Sequence, residues 1–203
     1  NLYTVLDIEK NIADHRDDIR DLSCLKKVVK SSKPEIIVHM AAQSLVRESY
    51  KDPVGTYATN VMGTVNLMEA ARSCDSVRAI LIVTSDKCYE NRELDYGYKE
   101  TDTMGGYDPY SSSKGCAELV TSAFRRSFYA NVSMIAVASA RAGNVIGGGD
   151  WSANRIIPDA IRSFSSDQQL QVRSPDAIRP WQHVLEPLSG YMTLCEKMWD
   201  QPL

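Results

Sequence analysis

The chain has 203 residues, 43% of them hydrophobic, which is ample for a packed core in one or two domains. Its formal charge is −3, and its Lys and Arg residues are scattered rather than striped. That excludes an electrostatic footprint for nucleic acid or an acidic membrane surface and favours a small-molecule partner. No apolar run approaches the ~18 residues of a membrane span, and the opening residues do not resemble a signal peptide.

The first predicted element is a helix over residues 22–31. "PEIIVHMAA", residues 34–42, is a continuous, β-branched apolar run introduced by Pro and released into small residues, and "VRAILIVTS" at 77–85 and "VSMIAVASA" at 132–140 have the same form. Continuous rather than alternating apolar character predicts strands covered on both faces, as in a parallel sheet between helices. A helix is predicted over 52–74, with Tyr57, Val61, Val65, Met68 and Ala71 on its apolar face, and a second over 108–128, with Ala117, Val120, Phe124 and Phe128. Strand, helix, strand, helix, strand is a βαβ pattern with right-handed crossovers, so the fold class is α/β, a doubly wound parallel sheet. After residue 146 the character changes. "GGGDW" reads as a glycine turn, "NRIIPDAIRSF" as a helix, "LQVRS" as a short strand and residues 183–199 as a final helix.

Doubly wound sheets bind ligands at the carboxyl ends of their strands, which directs attention to residues 39–44, 85–89 and 141–149. "VTSDKCYE" at 83–90 sets Ser85, Asp86 and Lys87 in a row where the second strand ends. Tyr110 and Lys114 stand four apart, so they share one helix face, and an ammonium beside a phenol lowers its pKa as a tyrosine base requires. Spacing alone is weak support for the pair. Its place at the start of the helix following the Ser85 strand is stronger, because the fold then brings Ser85, Tyr110 and Lys114 to one sheet edge. His39, alone among apolar residues, reads as packed core, and Trp151 and Trp181 as aromatic packing. The five cysteines (24, 74, 88, 116 and 195) are odd in number and form no Cys-x-x-Cys pair or metal spacing. They read as thiols in a reducing cytoplasm, with no metal site.

These words, with "DIRD" at 18–21, "HMAAQ" at 39–43, "NVMGT" at 60–64, "YDPYSSSK" at 107–114, "RAGNVIGGGDW" at 141–151 and "IRPWQHV" at 178–184, resemble the extended short-chain dehydrogenase/reductase family, and most closely its CDP-glucose 4,6-dehydratase branch. The resemblance implies a Rossmann-like domain over 1–146 and part of a small substrate-binding lobe over 147–203, interleaved with the last Rossmann elements. It implies bound NAD, with Asp18 and Ile19 flanking the adenine, Ala41, Ala42 and Gln43 along the diphosphate and ribose, Asn60 near the nicotinamide and Lys114 on its ribose. Catalysis falls to Ser85, Tyr110 and Lys114 for oxidation at C4 of the sugar, and to Asp86 and Lys87 for loss of water from C5 and C6. Lys87 departs from the acid found there in dTDP-glucose dehydratases and matches the CDP-glucose branch, either as a base at C5 or as an electrostatic stabiliser of the enolate. Asn144, Arg155 and Arg179 resemble nucleotide-sugar contacts, since guanidinium forks match a diphosphate. The full-length relatives imply a homodimer or homotetramer. Another dehydratase, a 4-epimerase and a non-catalytic NAD-binding protein of the same fold remain alternatives.

A dinucleotide fold normally opens on a Gly-rich turn whose backbone N–H groups cradle the diphosphate, and no Gly-x-x-Gly-x-x-Gly occurs here. The resemblance therefore implies that this turn precedes Asn1 and that the substrate lobe continues past Leu203. Residues 1–203 by themselves are expected to bind NAD weakly or not at all. Thermal-shift titration checks this, and a large stabilisation at micromolar NAD would contradict it.

Overall fold

The structure, a computed structural model, describes residues 2–130 and 135–202. In chain order its elements are helix α1 (Leu2–Val5), α2 (Leu22–Ser32), strand β1 (Ile36–His39), helices α3 (Val46–Lys51), α4 (Pro53–Tyr57) and α5 (Gly63–Ala71), strand β2 (Ala79–Val83), helix α6 (Pro109–Phe124), strands β3 (Ala136–Ala140) and β4 (Asn144–Ile146), helix α7 (Ile156–Ser165), strand β5 (Trp181–His183) and helix α8 (Leu185–Asp200). Two compact units result, Asn1–His15 with Gly143–Leu188 and Arg16–Ala142 with Ser189–Leu203.

The larger unit is built on three parallel strands in the order β1-β2-β3, with Val38 beside Leu81 and Leu81 beside Ala138. β2 is central, and its uninterrupted apolar sequence has a physical reason, because both its faces are covered. Ile80 and Ile82 pack with Val29 of α2 and with Leu67, Met68, Ala70 and Ala71 of α5, while Ala79 packs with Ala136 and with Met198 of α8. This is the doubly wound α/β arrangement expected from the apolar runs. Of the predicted third strand, Val132–Met134 lie outside the described residues, and the remainder forms β3.

Local signals set the helix starts. Asp21 accepts a hydrogen bond from the Cys24 N–H at the start of α2, Asp52 accepts from the Gly55 N–H, and Asp108 from the Ser111 N–H, the last two followed by a Pro in the first turn. The predicted helix over 52–74 is α4, a π turn at Ala58–Met62 and α5 in succession.

Met68 and Ala71 are buried as expected, but over the first half of this helix the buried face differs from the expected one. Tyr57 is exposed and Val61 half-buried, whereas Thr56, Asn60 and Thr64 are buried. The wide turn changes the helical phase, and polar partners from β1, the segment after it and α6 satisfy the inward side chains. A second π turn, Arg125–Tyr129, ends α6 in the same way. Its extra residue leaves Phe128 39% exposed and buries Tyr129, which is 2% exposed and donates its hydroxyl to the Met68 carbonyl at 2.7 Å.

In the smaller unit β4 pairs in parallel with β5, placing Asn144 opposite Trp181 and Ile146 opposite His183. The strand expected at "LQVRS" does not form. Residues 171–180 are all exposed, Arg173 is held by side-chain hydrogen bonds to Asn154, and the pairing with β4 falls instead to Trp181–His183. The helix expected over 154–164 is α7, and that expected over 183–199 starts at Leu185.

The displaced packing face yields a test. Tyr129→Ala should cost ~3–5 kcal/mol of stability, and Phe128→Ala distinctly less, as urea denaturation midpoints would report. The reverse order would restore the unbroken-helix reading.

Candidate active site

The Ser85–Lys87 row is a capped turn at the end of the central strand. Ser85 is extended and accepts a hydrogen bond from the Lys87 N–H at 3.3 Å, starting a 3-10 turn over Asp86–Cys88, and its hydroxyl donates to Asp86 Oδ1 at 3.0 Å. The Asp86 N–H donates to the Ala142 carbonyl at 3.1 Å, which ties the turn to the chain leaving β3. Asp86 and Lys87 are half-buried, and Cys88 beneath them is buried, its thiol pushed up to about 12 by desolvation.

Tyr110 and Lys114 lie in the first turns of α6, only 8% and 6% exposed. Lys114 Nζ donates to the carbonyl of Val83 at 3.4 Å, two residues before Ser85, so the geometry brings the helix start and the strand end together as expected. Burial pulls the Lys114 pKa down to about 8, opposed in part by the charge of Glu118. Gly115 lets the turn and the segment near Gly105 pack close against α6, because a Cβ there would meet the Gly105 carbonyl at 2.9 Å and the Cys88 carbonyl at 3.4 Å.

Behind this pair lies a chain of buried amides and hydroxyls. Asn60 Oδ1 accepts the Gln43 N–H at 2.8 Å, and Asn60 Nδ2 donates to the Gln43 carbonyl at 3.0 Å and to Ser113 Oγ at 2.8 Å; Ser113 in turn donates to the Tyr110 carbonyl. The Gln43 side chain is held by Thr56 at 2.9 Å and by Leu45. Thr64 donates to the Asn60 carbonyl, so its oxygen accepts from His39 Nε2–H at 3.1 Å and fixes that tautomer. Desolvation first, then the positive charge of Lys114, lowers the His39 pKa to about 4, and the residue is a neutral part of the core.

An open cleft of ≈ 770 Å³ in the larger unit is lined by Asp18, Ile19, Ala41 and Ala42, all among the residues expected to hold a cofactor, with Arg16, Asp17, Asp21, Cys24 and Thr59 beside them. Ile19 packs where Gly63 has no side chain, and its carbonyl accepts from Asn66 Nδ2. The side-chain hydrogen bond from Arg20, with an ion pair of 2.6 Å, holds the Asp18 carboxyl down at about 2. Gln43 and Asn60 do not line this cleft; their amides are engaged in the clamp behind Tyr110.

In the smaller unit, Asn144 opens β4 and its N–H bonds the Pro180 carbonyl at 3.0 Å. Arg155 precedes α7 and pairs with Asp150 at 2.9 Å, and Arg179 is exposed and donates to the Ile178 carbonyl. Among the described residues no group of three His, Cys, Asp or Glu side chains could hold a metal ion.

Sequence reasoning missed Glu118, and it pointed to the 141–149 stretch without singling out its partner Arg141. Glu118 accepts from Thr84, from Ser139 at 2.7 Å and from both ends of the Arg141 fork at 2.9 and 2.8 Å. Its four-residue spacing from Lys114 was the available signal.

The sequence is 53% identical, over 99% of this chain and 57% of the relative, to a CDP-glucose 4,6-dehydratase of Salmonella typhimurium. A dTDP-glucose 4,6-dehydratase of Xanthomonas campestris is 30% identical over 63% of this chain and 39% of its own length. Among solved structures, a dTDP-glucose 4,6-dehydratase from Streptomyces venezuelae with NAD bound superposes with a TM-score of 0.75 at 26% identity, over 86% of this chain and 52% of that one. A UDP-glucose 4-epimerase from Thermotoga maritima shares the fold, with a TM-score of 0.83 at 19% identity over 92% of this chain and 60% of that one. The chain thus spans about half the length of the relatives it matches. The model of a family described as GDP-mannose 4,6 dehydratase matches residues 1–201, and the chain belongs to that family.

Proposed function

We propose that this chain carries the catalytic residues of a nucleotide-sugar 4,6-dehydratase that converts CDP-glucose to CDP-4-keto-6-deoxyglucose with NAD as its cofactor. The observation that carries this reading is the packing of the Ser85–Lys87 turn against α6, the helix of Tyr110 and Lys114, with Lys114 bonded to the Val83 carbonyl at the end of β2, in a chain 53% identical to a CDP-glucose 4,6-dehydratase.

The residues fit the cofactor. Ile19, Ala41 and Ala42 give the cleft an apolar wall of low relief, and the ionised Asp18 beside it suits a flat ring system carrying hydrogen-bond donors, as an adenosine presents. Asp18, Ile19, Ala41 and Ala42 would hold that part, Gln43 and Asn60 would shape its far end through the clamp, and Tyr110 and Lys114 would meet the reactive end. A bound NAD would supply the acceptor for the hydride from C4 and the donor of that hydride to C6.

The chain's own residues handle the protons. Tyr110, as phenolate, accepts the proton of the sugar 4-hydroxyl, the Lys114 ammonium favours that phenolate, and Ser85 holds the sugar oxygen by hydrogen bonding. The resulting 4-keto group acidifies the C5 proton. Asp86 delivers its proton to the departing 6-hydroxyl, which leaves as water, while the C5 proton passes to a base and is returned to C5 when hydride adds at C6; the proton held by Tyr110 restores that of Asp86. Lys87 works at C5, where a neutral amine removes the proton and an ammonium stabilises the enolate. A 4-epimerase needs no such acid beside its serine, and Asp86 with Lys87 therefore favours the dehydratase.

Residues 1–146 would form the cofactor part and 147–203 part of the substrate lobe, interleaved with the last Rossmann elements, with Asn144, Arg155 and Arg179 as nucleotide-sugar contacts and the two guanidinium forks suited to the diphosphate. Exposed Val54, Met62 and Leu119 on the helices at 53–71 and 109–124 support a homodimer or homotetramer of the full-length protein. Five free cysteines support a reducing cytoplasm.

Full-length protein given CDP-glucose should produce the alkaline ultraviolet absorbance of a 4-keto-6-deoxy sugar; formation of the 4-epimer instead would sink the assignment. Lys87→Met should leave oxidation at C4 intact and slow water loss by roughly 10²–10⁴-fold, followed as 6-deoxy product by NMR. A normal rate of product formation would remove Lys87 from the reaction.

A further inference from the structure

The reaction as derived leaves one buried charge unused. Glu118 lies one helical turn beyond Lys114 on α6 and is 6% exposed. Its carboxylate accepts from Thr84 at the exit of β2, from Ser139 on β3 and from Nε and Nη2 of Arg141. The remaining Arg141 nitrogen donates to the Tyr89 hydroxyl, just past the Asp86–Cys88 turn, and the guanidinium lies 5.0 Å from the Tyr89 ring centre. Ala142, next in the chain, accepts the Asp86 N–H. One ion pair thereby joins the strand that ends in Ser85, both ends of the turn that carries Asp86 and Lys87, and the helix that carries Tyr110 and Lys114.

Stability is a poor explanation for such a pair. Desolvating two charges costs about what their attraction returns, and apolar residues of the same volume commonly serve as well or better. We propose that Glu118, locked by Arg141, is a positioning residue of the site: it fixes the exit of β2 against α6 and supplies the negative charge one turn from Lys114. Each catalytic group then sits at a spacing its own element does not determine.

The electrostatic part has a definite sign. Burial lowers the Lys114 pKa, and Glu118 is the charge acting the other way. The other titratable groups around Lys114 are Tyr110 on α6, His39 on β1, and Asp86, Lys87 and Cys88 in the turn packed against α6. His39 is neutral above about pH 4, and the Cys88 thiol, pushed up to about 12, stays protonated. Without the Glu118 charge, the ammonium would be lost at lower pH, and Tyr110 would lose the cation that favours its phenolate.

This inference rests on reading Tyr110 and Lys114 as the proton-handling pair, yet part of its test needs no substrate. In full-length, NAD-bound enzyme labelled with 13Cε-lysine, the Lys114 resonance, assigned by its loss in Lys114→Met, is titrated by NMR. The titration is repeated in Glu118→Gln and in the double variant Glu118→Gln/Arg141→Met. The pH profiles of kcat and KM for CDP-glucose are measured alongside. Expected are a lower Lys114 midpoint in the variants and an alkaline limb of kcat displaced downward with it. At neutral pH kcat should fall on the order of tenfold to a hundredfold, with KM little changed. The single variant leaves Arg141 as a buried cation without its anion, so the double variant, which removes both charges, decides the matter if the single one does not fold. A folded variant with a wild-type Lys114 titration, or with undiminished kcat, overturns the inference. If CDP-glucose is not the substrate, wild-type enzyme shows no turnover while the shift in Lys114 still reads out, so the two failures are told apart.

Discussion

Burying the Glu118 carboxylate is tolerable only because its oxygens are saturated by Thr84, Ser139 and the Arg141 fork, and that requirement draws the ends of β2 and β3 and the flank of α6 onto one point. A carboxylate left unpaired there would meet a desolvation cost of several kcal/mol. Burial by itself would raise its pKa, yet the net direction is downward, because the hydrogen bonds from Arg141, Thr84 and Ser139 and the charge of Arg141 outweigh it. Ser85 follows Thr84 directly and Ala142 follows Arg141, so the backbone at the strand ends inherits the precision of the pair. Polar chemistry at the carboxyl edge of the sheet is thereby set on elements that packing already holds rigid.

The ridge of Thr56, Asn60 and Thr64 does the corresponding work on the other side of Tyr110. An inward polar face on a helix is costly unless each group finds a partner, and here each does, with Gln43, Ser113 and His39 supplying them. Among the described residues no buried side-chain nitrogen or oxygen lacks a hydrogen bond. The clamp runs from the segment after β1, through the π turn, to the backbone carbonyl of Tyr110, so a helix irregularity serves to aim an amide rather than to relieve strain.

Burial gives the neighbouring His39 and Lys114 opposite roles by acting in the same direction on both. Desolvation lowers each pKa; from its ordinary value this takes His39 to about 4, where it is an inert neutral donor, and Lys114 to about 8, close enough to neutrality to matter for proton transfer.

The continuous apolar run at 77–85 determined a central parallel strand covered on both faces, whereas the similar run at 34–42 forms the edge strand β1, where among the described residues no layer covers one face and Ile36 and Val38 stay 41% and 43% exposed. The same runs located the polar strand end at Ser85–Lys87, and helical spacing located Tyr110 and Lys114, since both patterns are local. The seam of the helix at 53–71, the exchange of Phe128 for Tyr129 and the pairing of β4 with β5 were decided by the tertiary structure. Each depends on a π turn or on a strand neighbour contributed from elsewhere in the chain. The same is true of Asn60, whose amide the fold commits to Gln43 and Ser113, and of Glu118, which by sequence is one more acid on a helix. What that acid does is set by Thr84, Ser139 and Arg141, residues 21–34 positions away in sequence that only folding brings within hydrogen-bond reach.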